Sequence, residues 1–248
     1  MSEALGGEEL KIMRKAGKTA TSILRRLKKN LRAGISTKDI EELFDSYLSR
    51  YPGMEAAFKG FNGYPASICV SVNDEIIHGI PSSRIIKQGD IVSVDVGIKY
   101  KGLYVDTAYT YTVGRVSKVA KKLIKVTMKA LRAGIRRAKP GAKVGDIGAA
   151  IQNTVERHGF SVIRKFVGHG IGRKLHLVPE IPNFGRKGQG YQLKEGMVIA
   201  IEPMVAVGDY QVRISDDGWT AKTQDKSLSA HFEHTVAITR WGPKILTH

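Results

Sequence analysis

The chain has 248 residues, 42 % of them hydrophobic, so it can bury a substantial core, and no apolar run approaches the roughly 18 residues that a membrane-spanning helix needs. Lys and Arg number 40 against 23 Asp and Glu, a net charge of +17 that makes the surface attractive to polyanions. One cysteine, Cys69, excludes an internal disulfide and fits a reducing, cytoplasmic setting, and the acidic start from Met1 to Glu9 lacks the basic and apolar segments of a signal peptide.

In chain order, the pattern predicts a helix from Gly7 to Leu31, closed by Gly34, and a second from Thr37 to Ser49 with Ser36 or Thr37 as N-cap. Short apolar runs rich in branched residues predict strands at Ser67–Val72, Ile91–Ile98 and Tyr104–Val113. Lys99-Tyr100-Lys101-Gly102 reads as a turn, which makes the last two strands a hairpin. Helices are expected again from Lys118 to Ala138, stopped by Pro140-Gly141, and from Gly145 to His158. Strands follow at Met197–Ile201 and His231–Thr239. The landmarks recur at an offset of 107 residues: Gly34, Asp39 and Ile40 as Gly141, Asp146 and Ile147, Gly63 as Gly170, and Gly89 as Gly196. Asp95 falls on Glu202. The expectation is one domain over residues 1–248, built from pseudo-symmetric halves of about 8–113 and 115–240, in an α+β plan with helices on one side of a sheet.

The chemistry shows as misplaced charge. Asp95 interrupts Ile91-Val92-Ser93-Val94-Asp95-Val96, and Asp106 interrupts Tyr104-Val105-Asp106-Thr107, so the hairpin sets two carboxylates on one face. Glu202 ends one later strand and Glu233 lies in another. A single buried Asp is ordinarily satisfied by a cation or by backbone N–H groups. Four carboxylates without a regular basic partner nearby in sequence call instead for a strong positive charge, and a metal supplies it economically. His169, in what reads as a glycine-rich turn, Gly168-His169-Gly170-Ile171-Gly172, adds an imidazole. An oxygen-rich set with one imidazole suits Mn, Fe, Co or Zn, and its negative charge is enough for two divalent ions.

The set Asp95, Asp106, His169, Glu202 and Glu233 resembles the dimetal site of type I methionine aminopeptidases, and the likeness runs from about Glu8 to Thr239. Other stretches carry it too: Phe61-Asn62-Gly63-Tyr64-Pro65-Ala66-Ser67-Ile68-Cys69, then Asn73 with His78-Gly79-Ile80-Pro81, and Asp217-Gly218-Trp219 running into Ser227 through Thr235. The resemblance implies the pita-bread fold, with helices on a curved antiparallel sheet. It implies two divalent ions, Asp106 and Glu233 bridging them, Asp95 on one, His169 and Glu202 on the other, and a hydroxide nucleophile directed at the scissile carbonyl. It implies Glu202 as proton acceptor, His78 near the scissile amide and His176 near the developing oxyanion. Phe58, Phe61, Tyr64, Cys69 and Trp219 become candidates for an apolar methionine pocket, although each also reads as core. Asn73, Glu75 and Ser229 match positions that hold a monovalent cation in some relatives. The implied substrate is a nascent polypeptide with N-terminal Met and a small second residue, as in the chain's own Met1-Ser2. Leu177-Val178 departs from the acidic or proline residues frequent there, and Phe58 and Leu175 also depart, so the pocket rim is expected to differ. A proline-directed peptidase on the same fold and a non-enzymatic binding protein remain rival readings.

The charge has its own pattern. Lys118, Lys122, Lys125, Lys129, Arg132, Arg136 and Lys139 fall on one helical stripe, and Lys11, Lys15, Lys18, Arg25, Lys29 and Arg32 repeat it at the 107 offset. Residues 10–32 and 118–139 contain no acid. Solvated helix faces normally mix signs, so these stripes point to a phosphate-bearing partner, ribosomal RNA near the exit of the nascent chain. The expected state is a cytoplasmic monomer.

Overall fold

The computed structural model describes residues 4–248, so Met1-Ser2 lies outside the described part. Helix α1 spans Gly7–Asn30, and its N-terminus carries Glu8 and Glu9 while its last turn carries Lys28 and Lys29, charges that complement the helix dipole. Helix α2, Thr37–Leu48, opens on a reciprocal cap: Asp39 N–H donates to Ser36 Oγ (3.1 Å) and Ser36 N–H donates to Asp39 Oδ2 (2.7 Å). Helices α3, Lys118–Ile135, and α4, Val144–Glu156, follow in the second half. The expected extension of α3 to Ala138 does not form as α-helix; after Ile135 the chain turns, with Arg137 N–H donating to Gly134 O.

The centre of the first half is a hairpin of strands Ile91–Tyr100 and Leu103–Thr112. Pairing runs to Tyr100 opposite Leu103, so the turn is only Lys101-Gly102, tighter than the four residues expected. Both turn residues take positive φ, 50° and 76°, as a two-residue hairpin turn requires. Strand alternation sends Val92, Val94, Val96 and Ile98 to one face, where they join Met13, Ile23, Leu24 and Leu27 of α1 in a single core. Ser93, Asp95, Gly97, Asp106, Ala108 and Thr110 belong to the opposite face. Helix α1 therefore backs the hairpin, and the carboxylates look away from it.

A second core joins Leu123, Val126 and Leu131 of α3 with Ile147 and Ile151 of α4 and with Ile199, Ile201 and Val236 of the sheet beneath. That sheet contains strands Gly168–Gly170, Leu177–Ile181, Val198–Ile201, His234–Thr239 and Gly242–Ile245. The 107-residue offset has local structural counterparts: isolated bridges join Ser36 to Ile85 and Lys143 to Gln192. Gly34 and Gly141 both take positive φ, as do Gly89 and Gly196, whereas Gly63 (φ 86°) corresponds to a Gly170 that lies in a strand.

The expected strand His231–Thr239 is two strands, Ser229–His231 and His234–Thr239, interrupted at Phe232-Glu233. Glu202-Pro203 interrupts its neighbour in the same way, between Val198–Ile201 and Met204–Ala206. Proline has no N–H for a ladder, and Pro203 O instead accepts from Phe232 N–H (3.4 Å). The outer edge of the hairpin meets this interrupted region mostly through threonines. Thr107 Oγ1 donates to Glu233 O (2.8 Å), Thr110 Oγ1 donates to His231 O (2.8 Å), and Glu233 N–H donates to Ala108 O (2.9 Å). Each such buried bond contributes about 0.5–1.5 kcal/mol net, and an unmade partner costs more.

Candidate metal centre

The hairpin register sets Gly97 opposite Asp106 and Ala108 opposite Asp95, so the two aspartates are diagonal neighbours on one face. Cys69, on strand Cys69–Val72, pairs with Asp95 and extends the same row. Glu202 and Glu233 arrive from the two strand interruptions. His169 comes from strand Gly168–Gly170, a strand and not the glycine-rich turn expected. Its flanking glycines serve close strand approach: a Cβ on Gly168 would collide with Ala200 O, and one on Gly170 with Val178 O.

The structure brings the five residues together. Donor atoms of Asp95, Asp106 and Glu233 lie within 4.8 Å of one another, as do those of His169, Glu202 and Glu233, and those of Asp106, His169 and His176. Glu233 belongs to the first two triads and Asp106 to the first and third, so the triads share corners. Asp95 Oδ1, Asp106 Oδ1 and Glu233 Oε1 are sealed from solvent with no hydrogen-bond partner among the described residues. Burial of several unpaired anionic oxygens is too costly to leave uncompensated. Desolvation accordingly pushes all four carboxyls up, Asp95 to about 7 and Asp106, Glu202 and Glu233 well above the ordinary carboxylate range, and repulsion from neighbouring carboxylates adds to the effect at Asp106, Glu202 and Glu233. The chemistry of this donor set fits divalent cations.

A cavity of about 500 Å³ opens onto these residues. Phe58, Phe61, Tyr64, Cys69, His78, His176 and Trp219 all line it. Phe58 packs where Gly97 has no side chain; a Cβ there would collide with the Phe58 ring. Tyr64 is fixed by its hydroxyl, which donates to Ile68 O (3.2 Å) and Gly79 O (3.1 Å), and its ring meets Trp219 edge-on at 5.2 Å. His176 is exposed and packs against Phe61 (4.9 Å) and His169 (4.1 Å). His78 holds a left-handed backbone (φ 58°) with its ring edge-on to Phe166 at 5.7 Å. Burial lowers both imidazoles, His78 to about 4, so both are neutral at neutral pH. Leu175, Leu177 and Val178 also line the cavity, so the departures noted in the sequence fall on its wall and rim.

Asn73, Glu75 and Ser229 are elsewhere, and their side-chain groups have protein partners. Asn73 Oδ1 accepts from Ile91 N–H (3.0 Å), Glu75 pairs with Arg84 (2.6 Å) and Lys222 (3.3 Å), and Ser229 Oγ donates to Val205 O (3.2 Å). Sequence reasoning missed two buried residues around Glu202. Asn183 Nδ2 donates to Glu202 O (3.0 Å), and His231 Nε2 lies 3.7 Å from Glu202 Oε2. His231 lies two residues before Glu233 in the sequence, but nothing local marks it as facing Glu202.

The sequence matches metallopeptidase family M24 over residues 11–240. It is 49 % identical over 239 residues to a methionine aminopeptidase of Clostridium perfringens and 48 % identical over 239 residues to methionine aminopeptidase 1 of Bacillus subtilis, each match covering 96 % of both chains. The crystal structure of methionine aminopeptidase from Thermotoga maritima matches with a TM-score of 0.97 and 47 % identity, over 100 % of this chain and 99 % of that one. A prolidase from Pyrococcus horikoshii, at 22 % identity and a TM-score of 0.80 over 64 % of its own chain, shares the fold. With its pita-bread fold and its near full-length identity to these enzymes, the chain belongs to metallopeptidase family M24 and, within it, to the methionine aminopeptidases.

Proposed function

We propose that this chain removes the initiator methionine from newly made polypeptides whose second residue is small, with two divalent ions held by Asp95, Asp106, His169, Glu202 and Glu233. The observation that carries the reading is the convergence of three orphaned, buried carboxylate oxygens at the floor of an apolar pocket. Co, Mn, Fe and Zn all suit the donor set. When bound, such ions supply Lewis acidity and lower the pKa of water, as two-metal sites do generally, aminopeptidases among them.

The chain's own residues divide the remaining work. Phe58, Phe61, Tyr64, Cys69 and Trp219 take the methionine side chain, a flexible thioether that packs well on aromatic edges. The free α-amine is drawn to the carboxylates, which restricts cleavage to the first residue. Glu202 accepts the proton released by the attacking water. Neutral His78 hydrogen-bonds the scissile amide, and neutral His176 offers an N–H toward the oxyanion that develops in the transition state.

The finer setting is a cytoplasmic monomer that works on the emerging chain while docked to ribosomal RNA. The basic stripes support this: their members on α1 and α3 are exposed, and α1 covers the face of the hairpin opposite the carboxylates. No helix among the described residues is long and apolar enough to cross a membrane.

The direct test is a metal-stripped sample titrated with Mn²⁺ against Met-Ala-Ser, Met-Arg-Ser and Ala-Pro-Ser peptides. Metal-dependent release of Met from the first alone supports the reading. Cleavage ahead of proline supports the proline-directed rival, and no cleavage of any peptide supports the binding-protein rival.

A further inference from the structure

Glu202 stands between two imidazoles. Its Oε1 lies 3.6 Å from Nε2 of His169, and its Oε2 lies 3.7 Å from Nε2 of His231. His169 lines the pocket and shares a donor triad with Glu202 and Glu233, whereas His231 belongs to none of the three triads. His231 is 1 % exposed, on the strand Ser229–His231. Its backbone is pinned on both sides: His231 N–H donates to Thr110 Oγ1 (2.9 Å), Thr110 Oγ1 lies 2.8 Å from His231 O as a donor, and Ser93 Oγ lies 2.8 Å from the same hydroxyl. The ring therefore projects from a fixed base.

His231 Nε2 is sealed from solvent and has no hydrogen-bond partner among the described residues. A sealed ring nitrogen is costly in either tautomer unless it finds a partner. Without a proton, Nε2 would turn a lone pair toward a carboxylate oxygen. With a proton, it faces an acceptor just outside hydrogen-bond reach, a gap that a small rotation of either side chain closes.

We infer that His231 is a positioning residue, whose Nε2–H donates to Oε2 of Glu202 and leaves Oε1 turned toward His169 and the metal side. This rests on the reading of Glu202 as a metal ligand and proton acceptor. It gives His231 the part of an outer partner that orients a ligating carboxylate. Removing such a partner loosens the ligand without removing it, typically by about 10- to 100-fold in metal affinity or activity.

The first test needs no substitution. In Zn²⁺-loaded wild-type protein labelled with ¹⁵N-histidine, NMR should show His231 protonated on Nε2; a proton on Nδ1 with bare Nε2 overturns the inference. The second test compares folded His231→Leu and His231→Gln by calorimetric titration with Zn²⁺. The Leu variant should lose about 10- to 100-fold in Zn²⁺ affinity, and the Gln variant, which keeps a side-chain N–H, should recover most of it. With Met-Ala-Ser, the Leu variant should lose kcat and keep KM, because His231 does not line the methionine pocket. A Leu variant with wild-type Zn²⁺ affinity and wild-type kcat overturns the inference. A wild-type control that binds no Zn²⁺ and cleaves no peptide would instead overturn the underlying reading of the site, so the two failures are distinct.

Discussion

Asp106 and Thr235 clasp each other across 129 residues of sequence: Asp106 N–H donates to Thr235 Oγ1, and the same hydroxyl donates to Asp106 O, both at 2.8 Å. One side chain thus satisfies both backbone groups of a carboxylate residue at the centre of the site. Thr235 is itself held by its N–H, which donates to Thr247 Oγ1 (3.1 Å). Thr235→Val keeps the shape and removes the hydroxyl. It should cost about 1–3 kcal/mol in denaturant unfolding, because it strands a buried donor and acceptor, and it should weaken metal binding. Thr235→Ser should retain most of both. A Val variant with wild-type stability and metal affinity would show that the clasp does not hold the site.

Glu202→Gln and His169→Ala should each abolish cleavage of Met-Ala-Ser while circular dichroism stays unchanged. Both residues meet in one donor triad with Glu233. Removing the Glu202 charge also removes repulsion that raises Asp106 and Glu233, so the metal-free Gln variant should melt no lower than wild type. Near-wild-type turnover in a metal-replete Gln sample would remove Glu202 from the catalytic set.

The metal-free protein should lose stability with rising pH above about 6.5. The buried carboxyls have folded pKa values above their unfolded values, Asp95 near 7, so the native state holds more protons and rising pH favours unfolding until they ionise. Buried His78, His169, His231 and His234 are depressed to about 3–4. They act oppositely, but only below the unfolded histidine value of about 6.5. Between pH 6.5 and 8.5 the carboxyls act without that opposition. Saturating Mn²⁺ favours the ionised carboxylates and should cancel the slope. Thermal melts of stripped and loaded protein check this; a stripped Tm that rises with pH over that window contradicts it.

Much of this site was legible because charge in an apolar strand is conspicuous. Asp95 and Asp106 stand out among valines, and a hairpin puts them on one face without further information. The helix caps were equally local: Ser36 and Asp39 satisfy each other within one turn. What stayed hidden depends on pairing between distant segments. His231 faces Glu202 because Met204 pairs with His231, and Thr235 meets Asp106 because two halves abut. The break at Phe232-Glu233 was hidden for the same reason, since it answers Pro203 on the neighbouring strand. The segment around His169 reads as a turn because glycines usually mark one; in the fold those glycines admit backbone on both sides of a strand.

Gly97→Ala should narrow the methionine pocket. The added methyl would press on Phe58, which lines the cavity from above Gly97. Overpacking of this kind costs about 1–3 kcal/mol in stability, and the displaced ring should raise KM for Met-Ala-Ser more than it lowers kcat. Pairing the change with Phe58→Leu should restore KM by returning space. Unchanged KM in the single variant would mean that Phe58 does not bound the methionine side chain.

The basic stripes make the most exposed prediction. Lys122, Lys125, Lys129 and Arg132 are all exposed on α3, and Lys18, Arg25 and Lys29 are exposed on α1. Tyr109, on the hairpin strand, packs against both the core beneath α1 and the core beneath α3. The apolar face of each helix is spent on its core, with Leu24 and Leu27 buried on α1 and Leu123 and Leu131 on α3. That leaves charge, and little apolar surface, for a partner. Backbone phosphates of RNA fit such a surface, and contacts of this kind weaken steeply with salt. Reversing Lys122, Lys125, Lys129 and Arg132 to Glu should therefore reduce ribosome co-sedimentation at low salt. The same variant should cleave free Met-Ala-Ser at the wild-type rate, because none of the four residues lines the pocket. Unchanged co-sedimentation at low salt would leave the stripes as solubility features. Equal loss of peptide cleavage would mean that the substitutions had damaged the fold, and the partner would then have to be sought with Lys18, Arg25 and Lys29 reversed on α1 instead.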